Sequence, residues 1–242
     1  MTKIFPLFIQ ILTFSIFNFL SANPIQIHKD QVNYKIHSRQ ISQNTFEKFH
    51  SLFIDYYAKT FEEMGVKSSY PLNINLYSDV KSFQANTSLP TYTAAMYESN
   101  NSEFYFLLSP RTIKEERLIT LISHESCHAA FHSTENHISA RISLEEGLCF
   151  YYYPSEFSLM TNNISYCNLS LEKFLAKADK NLYGGNKSKR EEVYLISSRF
   201  IQYLLQKKKK EEVLQILKDK EYLTKLKQPW KEFSLICLKR GN

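Results

Sequence analysis

The chain has 242 residues, 43% of them hydrophobic and 22% charged, with a formal net charge of +6. These proportions exclude a disordered or fibrous chain and describe a globular protein able to bury one good core, with one domain the default and two small lobes the variant. Basic residues are interspersed with acids such as Glu115, Glu116, Glu191 and Glu192, so no nucleic-acid-binding stripe forms, and the run Lys207 to Lys210 reads as a solvated helix end.

Residues 1–22 set one Lys before an apolar run, followed by small residues and a Pro, the layout of a secretory signal peptide with cleavage near Ala22. The rival is a retained anchor, but Gln10, Thr13, Ser15 and Asn18 interrupt the run and it is short for a span. No later segment is apolar and long enough to cross a bilayer, so a secreted or periplasmic protein without stable membrane insertion is expected.

Residues 25–38 alternate as one opening strand. Phe46, Phe49, Phe53, Tyr57 and Phe61 then recur every three or four residues, which predicts a long amphipathic helix with Ser42 as N-cap and Gly65 at its end. PLNINLYSD follows as a strand with Leu72, Ile74 and Leu76 on one face, and residues 90–110 read as a hairpin turning at Ser99 to Ser102. The next helix takes Thr112 as its cap and Glu115 and Glu116 in its first turn. ISLEEGLCFYYY comes after a short loop, residues 154–168 are irregular, and four helical segments run from there to the end, broken at LYGGNKSK. Strands first and helices after give an α+β fold: a small mixed or antiparallel sheet, then a largely helical half.

Cys127, Cys149, Cys167 and Cys237 allow three disulfide pairings, and Cys127 with Cys149 requires that the helices carrying them pack together; buried free thiols are the alternative. Five sequons, at Asn86, Asn100, Asn163, Asn168 and Asn186, are what this composition produces without selection.

The stretch SHESCHAAFH carries the chemistry. Four residues apart on a helix, His124 and His128 project from one face, so both imidazoles can reach one ion at about 2.0–2.1 Å. Glu125 sits beside them, placed to face a water without ligating the ion. A catalytic site of this kind needs a third protein ligand and an open fourth position. A histidine six residues after His128 is ruled out because that position is Thr134, and Phe131 stands where the turn needs Gly. His132 lies too far along the helix axis and His137 beyond its end, which leaves them surface or loop roles. The remaining source is a following helix, where Glu145 and Glu146 both present carboxylates.

HESCH, followed after 17 intervening residues by EGLCFYY, resembles the paired motifs of gluzincin metallopeptidases, especially the compact peptidase MA-like family. The order of elements is similar too, and Tyr194, Ser197, Phe200, Tyr203 and Leu204 resemble a late-helix pattern of that family. The resemblance covers most of the exported chain. It implies that residues 23–242 form a single zincin-like catalytic domain, an α+β lobe over 23–133 and a helical lobe over 134–242. It also implies a zinc cofactor held by His124, His128 and Glu146, with Glu125 as general base. Tyr194 would be the hydrogen-bond donor to the oxyanion. The expected activity is zinc-dependent hydrolysis of peptides or proteins, as an endopeptidase rather than an aminopeptidase; the alternative is a metal-binding scaffold without useful catalysis.

The chain departs from the pattern at several positions. Ser126 replaces the usual Leu, and Ile142, Ser143 and Leu144 precede the EG pair where Pro and Trp are common. Phe150 stands where thermolysin-like enzymes place an Asp that orients a histidine. The stretch AAMYESN is similar to the amine-binding sequence of aminopeptidases but is interrupted by Tyr97, and the end of a hairpin is the plainer reading.

Overall fold

The computed structural model describes residues 24–38, 40–90, 93–133, 141–154 and 166–239. Thr134, His137, the Asn163 sequon, most of the irregular stretch and residues 1–23, which include the expected signal peptide, lie outside these residues.

The first element differs from the expected single strand. Residues 25–38 form a hairpin of β1 (Ile25–Lys29) and β2 (Val32–Ile36), because Asp30 and Gln31 both take positive φ, 48° and 65°, and close a two-residue turn. Without Gly or Asn in the turn, alternation simply continues through it. The Asp30 carboxylate then meets His50 Nε2 at 2.8 Å, and Tyr34 Oη meets His50 Nδ1 at 2.7 Å, fastening the hairpin to the next helix.

That helix, α1 (Gln43–Glu63), begins as expected, with Ser42 Oγ accepting the Thr45 N–H at 3.2 Å. It ends in a left-handed Gly65 (φ 65°), with the Val66 N–H donating to the Phe61 carbonyl and the Gly65 N–H to that of Glu62, both at 2.9 Å. Only a residue free of a Cβ takes this conformation without cost.

Strand β3 (Leu72–Tyr77) is followed by α2 (Val80–Thr87), a helix the sequence reading did not include. It is two turns long with Phe83 as its one buried residue, so it leaves no periodic trace; Asp79 caps it by accepting the Ser82 N–H at 2.8 Å. Strands β4 (Ala95–Glu98) and β5 (Glu103–Leu107) form the expected hairpin. The sheet has the order β1-β2-β3-β5-β4, parallel at β2–β3 and β3–β5 and antiparallel at both edges. The fold is therefore α+β with a small mixed sheet.

One face of the sheet is apolar. Tyr34, Ile74, Leu76, Phe104 and Phe106 are buried there against Phe49, Phe53 and Tyr57 of α1, with Phe53 and Phe104 edge-on at 5.2 Å between ring centres. Beside α1 packs α3 (Glu115–His132). It starts later than Thr112: Lys114 is its N-cap and makes no side-chain capping bond. Thr112 instead accepts the Ser109 N–H at 2.8 Å and donates to the Leu107 carbonyl, closing the loop out of β5. Glu115 and Glu116 occupy the first turn as expected.

The helical half comprises α4 (Ile142–Tyr152), α5 (Leu171–Gly184), α6 (Lys187–Lys207), α7 (Lys210–Lys218) and α8 (Tyr222–Lys239). The break at LYGGNKSK is the α5–α6 junction, where Asn186 caps α6. Trp230 of α8 stacks on Phe174 of α5 at 4.4 Å and meets Phe200 of α6 edge-on at 4.9 Å. Two disulfides are present, Cys127–Cys149 between α3 and α4 and Cys167–Cys237 between the turn that precedes α5 and the end of α8. The buried apolar residues form one cluster that runs from β2 through α8, with a small separate group under α2.

Candidate metal centre

The site is built where α3, α4 and α6 meet the edge strand β4. On α3, one turn brings His124 Nε2 and His128 Nε2 to 3.3 Å from each other. Glu146 comes from α4, and its Oε2 lies 3.4 Å from each of those nitrogens. Three potential ligand atoms thus form a near-equilateral triangle that could hold a metal ion. Glu146 Oε2 is buried and satisfies hydrogen-bond geometry with no protein group among the described residues.

Helix α4 is set in place by two contacts. Its own first residues supply no capping side chain, so Asp179 of α5 accepts the Ser143 N–H at 3.2 Å and the Arg141 guanidinium at 3.3 Å. A carboxylate at the positive end of a helix is favourable in charge and satisfies an orphan donor. Farther along, a Cβ on Gly147 would lie 2.5 Å from the Ser197 Cβ and 2.7 Å from the Ser197 carbonyl carbon. The glycine of the EG pair is therefore a packing residue: it lets α6 lie directly on α4. That contact brings Tyr194, one turn before Ser197, over Glu146.

Glu145, adjacent to the third corner, has a separate task. Its Oε1 meets His128 Nδ1 at 2.6 Å and His132 Nε2 at 2.9 Å. An ionised carboxylate only accepts, so His128 Nδ1 carries a proton toward Glu145, and a metal ion in the triangle would take the place of the proton that Glu146 draws to Nε2. His132 accordingly is neither a loop residue nor a ligand; it is the last residue of α3, hydrogen-bonded to the carboxylate that orients His128. His124 Nδ1 is buried without a partner among the described residues, and Phe150, where an orienting Asp stands in thermolysin-like enzymes, instead packs its ring 5.7 Å from Tyr194. Replacing Glu145 by Ala is expected to weaken metal affinity about 10–100-fold, measured by competition with a chromophoric chelator.

Electrostatics reinforce the geometry. Burial alone raises a carboxyl pKa, but His128 and His124 hold Glu146 well below the carboxylate range, and His128 and His132 hold Glu145 below it. Burial opposes a charge on His128, yet Glu146 and Glu145 outweigh it and raise the imidazole well above its usual value. The triangle therefore favours positive charge.

Glu125 points to the sheet side of α3, and its Oε2 accepts the Tyr97 N–H of β4 at 2.8 Å. Burial raises its pKa, with Glu146 adding to the effect and the two imidazoles and the Tyr97 N–H opposing it. Tyr194 stands near the Glu146 carboxylate; burial first, then the charges of Glu146 and Glu125, hold its pKa well above the phenol range, so it keeps its proton. All five predicted site residues thus meet in one place. The Glu98 carboxylate accepts from Asn101 at 3.0 Å inside the hairpin turn, as the plainer reading of AAMYESN expects.

The roles of Glu145, His132, Asp179 and Gly147 went unassigned in the sequence. The Glu-Glu pair and the i, i+4 spacing of His128 and His132 were visible signals for the first two; the Tyr97 N–H, a main-chain group, leaves none.

Fold and site together define an α+β protein with a buried two-histidine, one-glutamate centre able to hold a metal ion. No protein-family model matches the chain, and no curated protein matches it in sequence.

Proposed function

We propose that the chain is an exported zinc-dependent metallopeptidase of gluzincin type. The observation that carries this reading is the size of the triangle. In a tetrahedral site, ligand atoms stand about 1.63 bond lengths apart, so bonds of about 2.0–2.1 Å require edges of about 3.3–3.4 Å. The edges here are 3.3, 3.4 and 3.4 Å. Octahedral coordination at the same bond length needs edges of about 2.8–3.0 Å, and Mg²⁺ and Ca²⁺ take oxygen donors rather than imidazole. Charge agrees: Glu145 and Glu146 are two buried negative charges that draw a proton onto His128, and a divalent cation taking that proton's place would balance them with both imidazoles neutral. Two disulfides fit the oxidising compartment to which a signal peptide leads. Among the described residues no helix is long and apolar enough to cross a membrane.

His124, His128 and Glu146 would hold a zinc ion, which would supply a Lewis acid for the scissile carbonyl and acidify the attacking water. The protein supplies the proton traffic. Glu125, held at Oε2 by the Tyr97 N–H, takes a proton from the attacking water on its other oxygen as the water oxygen bonds the carbonyl carbon. Its elevated pKa suits it to give that proton to the leaving amine as the C–N bond breaks. Tyr194, protonated and drawn up against Glu146, is positioned to turn and donate to the oxyanion.

The test is a mixed peptide library with free and blocked ends. Internal cleavage, lost on chelation and restored by Zn²⁺, is the expected result. Tyr194→Phe is expected to lower kcat about 10²-fold with zinc retained. A zinc-loaded chain inert toward the whole library would favour the metal-binding scaffold instead.

A further inference from the structure

We propose that the Cys127–Cys149 disulfide is a redox latch on the metal centre: the chain holds its ion tightly only when this bond is formed. The inference rests on the metal site of the preceding reading and adds a condition for its assembly.

The bond joins the two helices that supply the ligands, with Cα atoms 5.6 Å apart. Cys127 immediately precedes His128, and Cys149 follows Glu146 by three residues, close to one helical turn. The covalent link therefore crosses between α3 and α4 at the level of the triangle. Metal sites tolerate errors of about 0.2 Å in ligand distance, so the relative placement of the two helices limits affinity. The polar contacts between them among the described residues, Glu145 to His128 and His132 and Glu146 to His124 and His128, are themselves part of the site. By contrast Cys167–Cys237 ties the turn before α5 to α8 and joins neither ligand-bearing helix.

Both sulfurs of the latch are fully buried. When α3 and α4 part enough to admit it, glutathione carries the reduction: one thiolate attacks a cysteine sulfur, breaking the S–S bond and releasing the other cysteine, and a second attacks the glutathione sulfur of the mixed disulfide and releases the first cysteine. Two electrons and two protons pass to the chain, giving two cysteine thiols and glutathione disulfide. Linkage is reciprocal, so if the bond tightens the ion, the ion must make the bond harder to reduce by the same factor. A chain of this design holds its metal at this site more tightly after reaching an oxidising compartment than before it.

The experiment measures Zn²⁺ affinity of the full oxidised chain, of Cys127→Ala/Cys149→Ala and of Cys167→Ala/Cys237→Ala, by chelator competition, with circular dichroism to confirm folding. The alanine pair removes thiols that would themselves bind zinc. Affinity is expected to fall about tenfold or more in the first double variant and to hold in the second. Should the first variant not fold, the native chain is equilibrated in glutathione buffers with and without Zn²⁺, acid-quenched and analysed by mass. Zinc is expected to shift the Cys127–Cys149 equilibrium by the affinity ratio and to leave Cys167–Cys237 unmoved. Equal zinc affinity with and without the bond, or a Cys127–Cys149 equilibrium indifferent to zinc, overturns the latch alone. An oxidised wild-type chain that binds no zinc overturns the latch and the metal site together.

Discussion

Glu125→Gln is expected to keep one zinc per chain at near-native affinity and to lower turnover by about 10³-fold. The substitution is nearly isosteric. A Gln side-chain oxygen still accepts the Tyr97 N–H that Glu125 Oε2 accepts at 2.8 Å, so β4 and α3 stay in register. What disappears is the group that takes a proton from water and returns it to the leaving amine, and an amide does neither near neutral pH. Glu125 is not a corner of the ligand triangle, so zinc affinity and folding should be unaffected. Steady-state kinetics on a peptide that the wild type cleaves, with metal content measured on the same sample, checks both halves. Cleavage retained within a few-fold would remove Glu125 from the mechanism.

Gly147→Ala is expected to destabilise the fold by about 3 kcal/mol and to weaken zinc binding at the same time. A Cβ there would lie 2.5 Å from the Ser197 Cβ, 2.7 Å from its carbonyl carbon and 2.9 Å from its carbonyl oxygen. Two of the three obstacles are main chain of α6, so no rotamer change relieves them and the helices must separate. Separation lifts Tyr194 away from Glu146 and disturbs the corner that Glu146 contributes. Urea unfolding monitored by circular dichroism reads the first effect, and chelator competition the second. Ser197→Gly in the same chain removes the Cβ–Cβ clash but not the backbone contact, so only partial recovery is expected.

The metal centre was more legible in the sequence than the sheet. A helix fixes where i, i+1 and i+4 side chains point, so HESCH alone places His124, Glu125 and His128 relative to one another. Glu146 is singled out from Glu145 only by the resemblance of the EG pair to the gluzincin motif; the structure adds a packing reason for the glycine, Gly147 against Ser197. The orientation of His128 by Glu145 was not legible, since both members of a Glu-Glu pair offer the same chemistry and only the facing of α4 separates ligand from orienting group. In the sheet, alternation shows which residues face the core but not where the chain reverses. The turn at Asp30 and Gln31 uses positive φ without Gly or Asn, and one strand was read where two exist. Helix α2 has one buried anchor, Phe83, and periodicity needs at least two. Thr112 was misjudged as a cap because a Thr before an acidic turn looks the same whether it serves the helix or, as here, the preceding loop.

Whether two imidazoles and one carboxylate grip a single four-coordinate ion is decided by X-ray absorption at the zinc edge of the purified, zinc-loaded chain. The expected spectrum has one zinc per chain, two imidazole nitrogens and further oxygen at about 2.0–2.1 Å, no sulfur, and loss of tight binding in Glu146→Ala. A chain that takes up no zinc, a first shell containing sulfur, or a Glu146→Ala variant with an unchanged spectrum and affinity would contradict it.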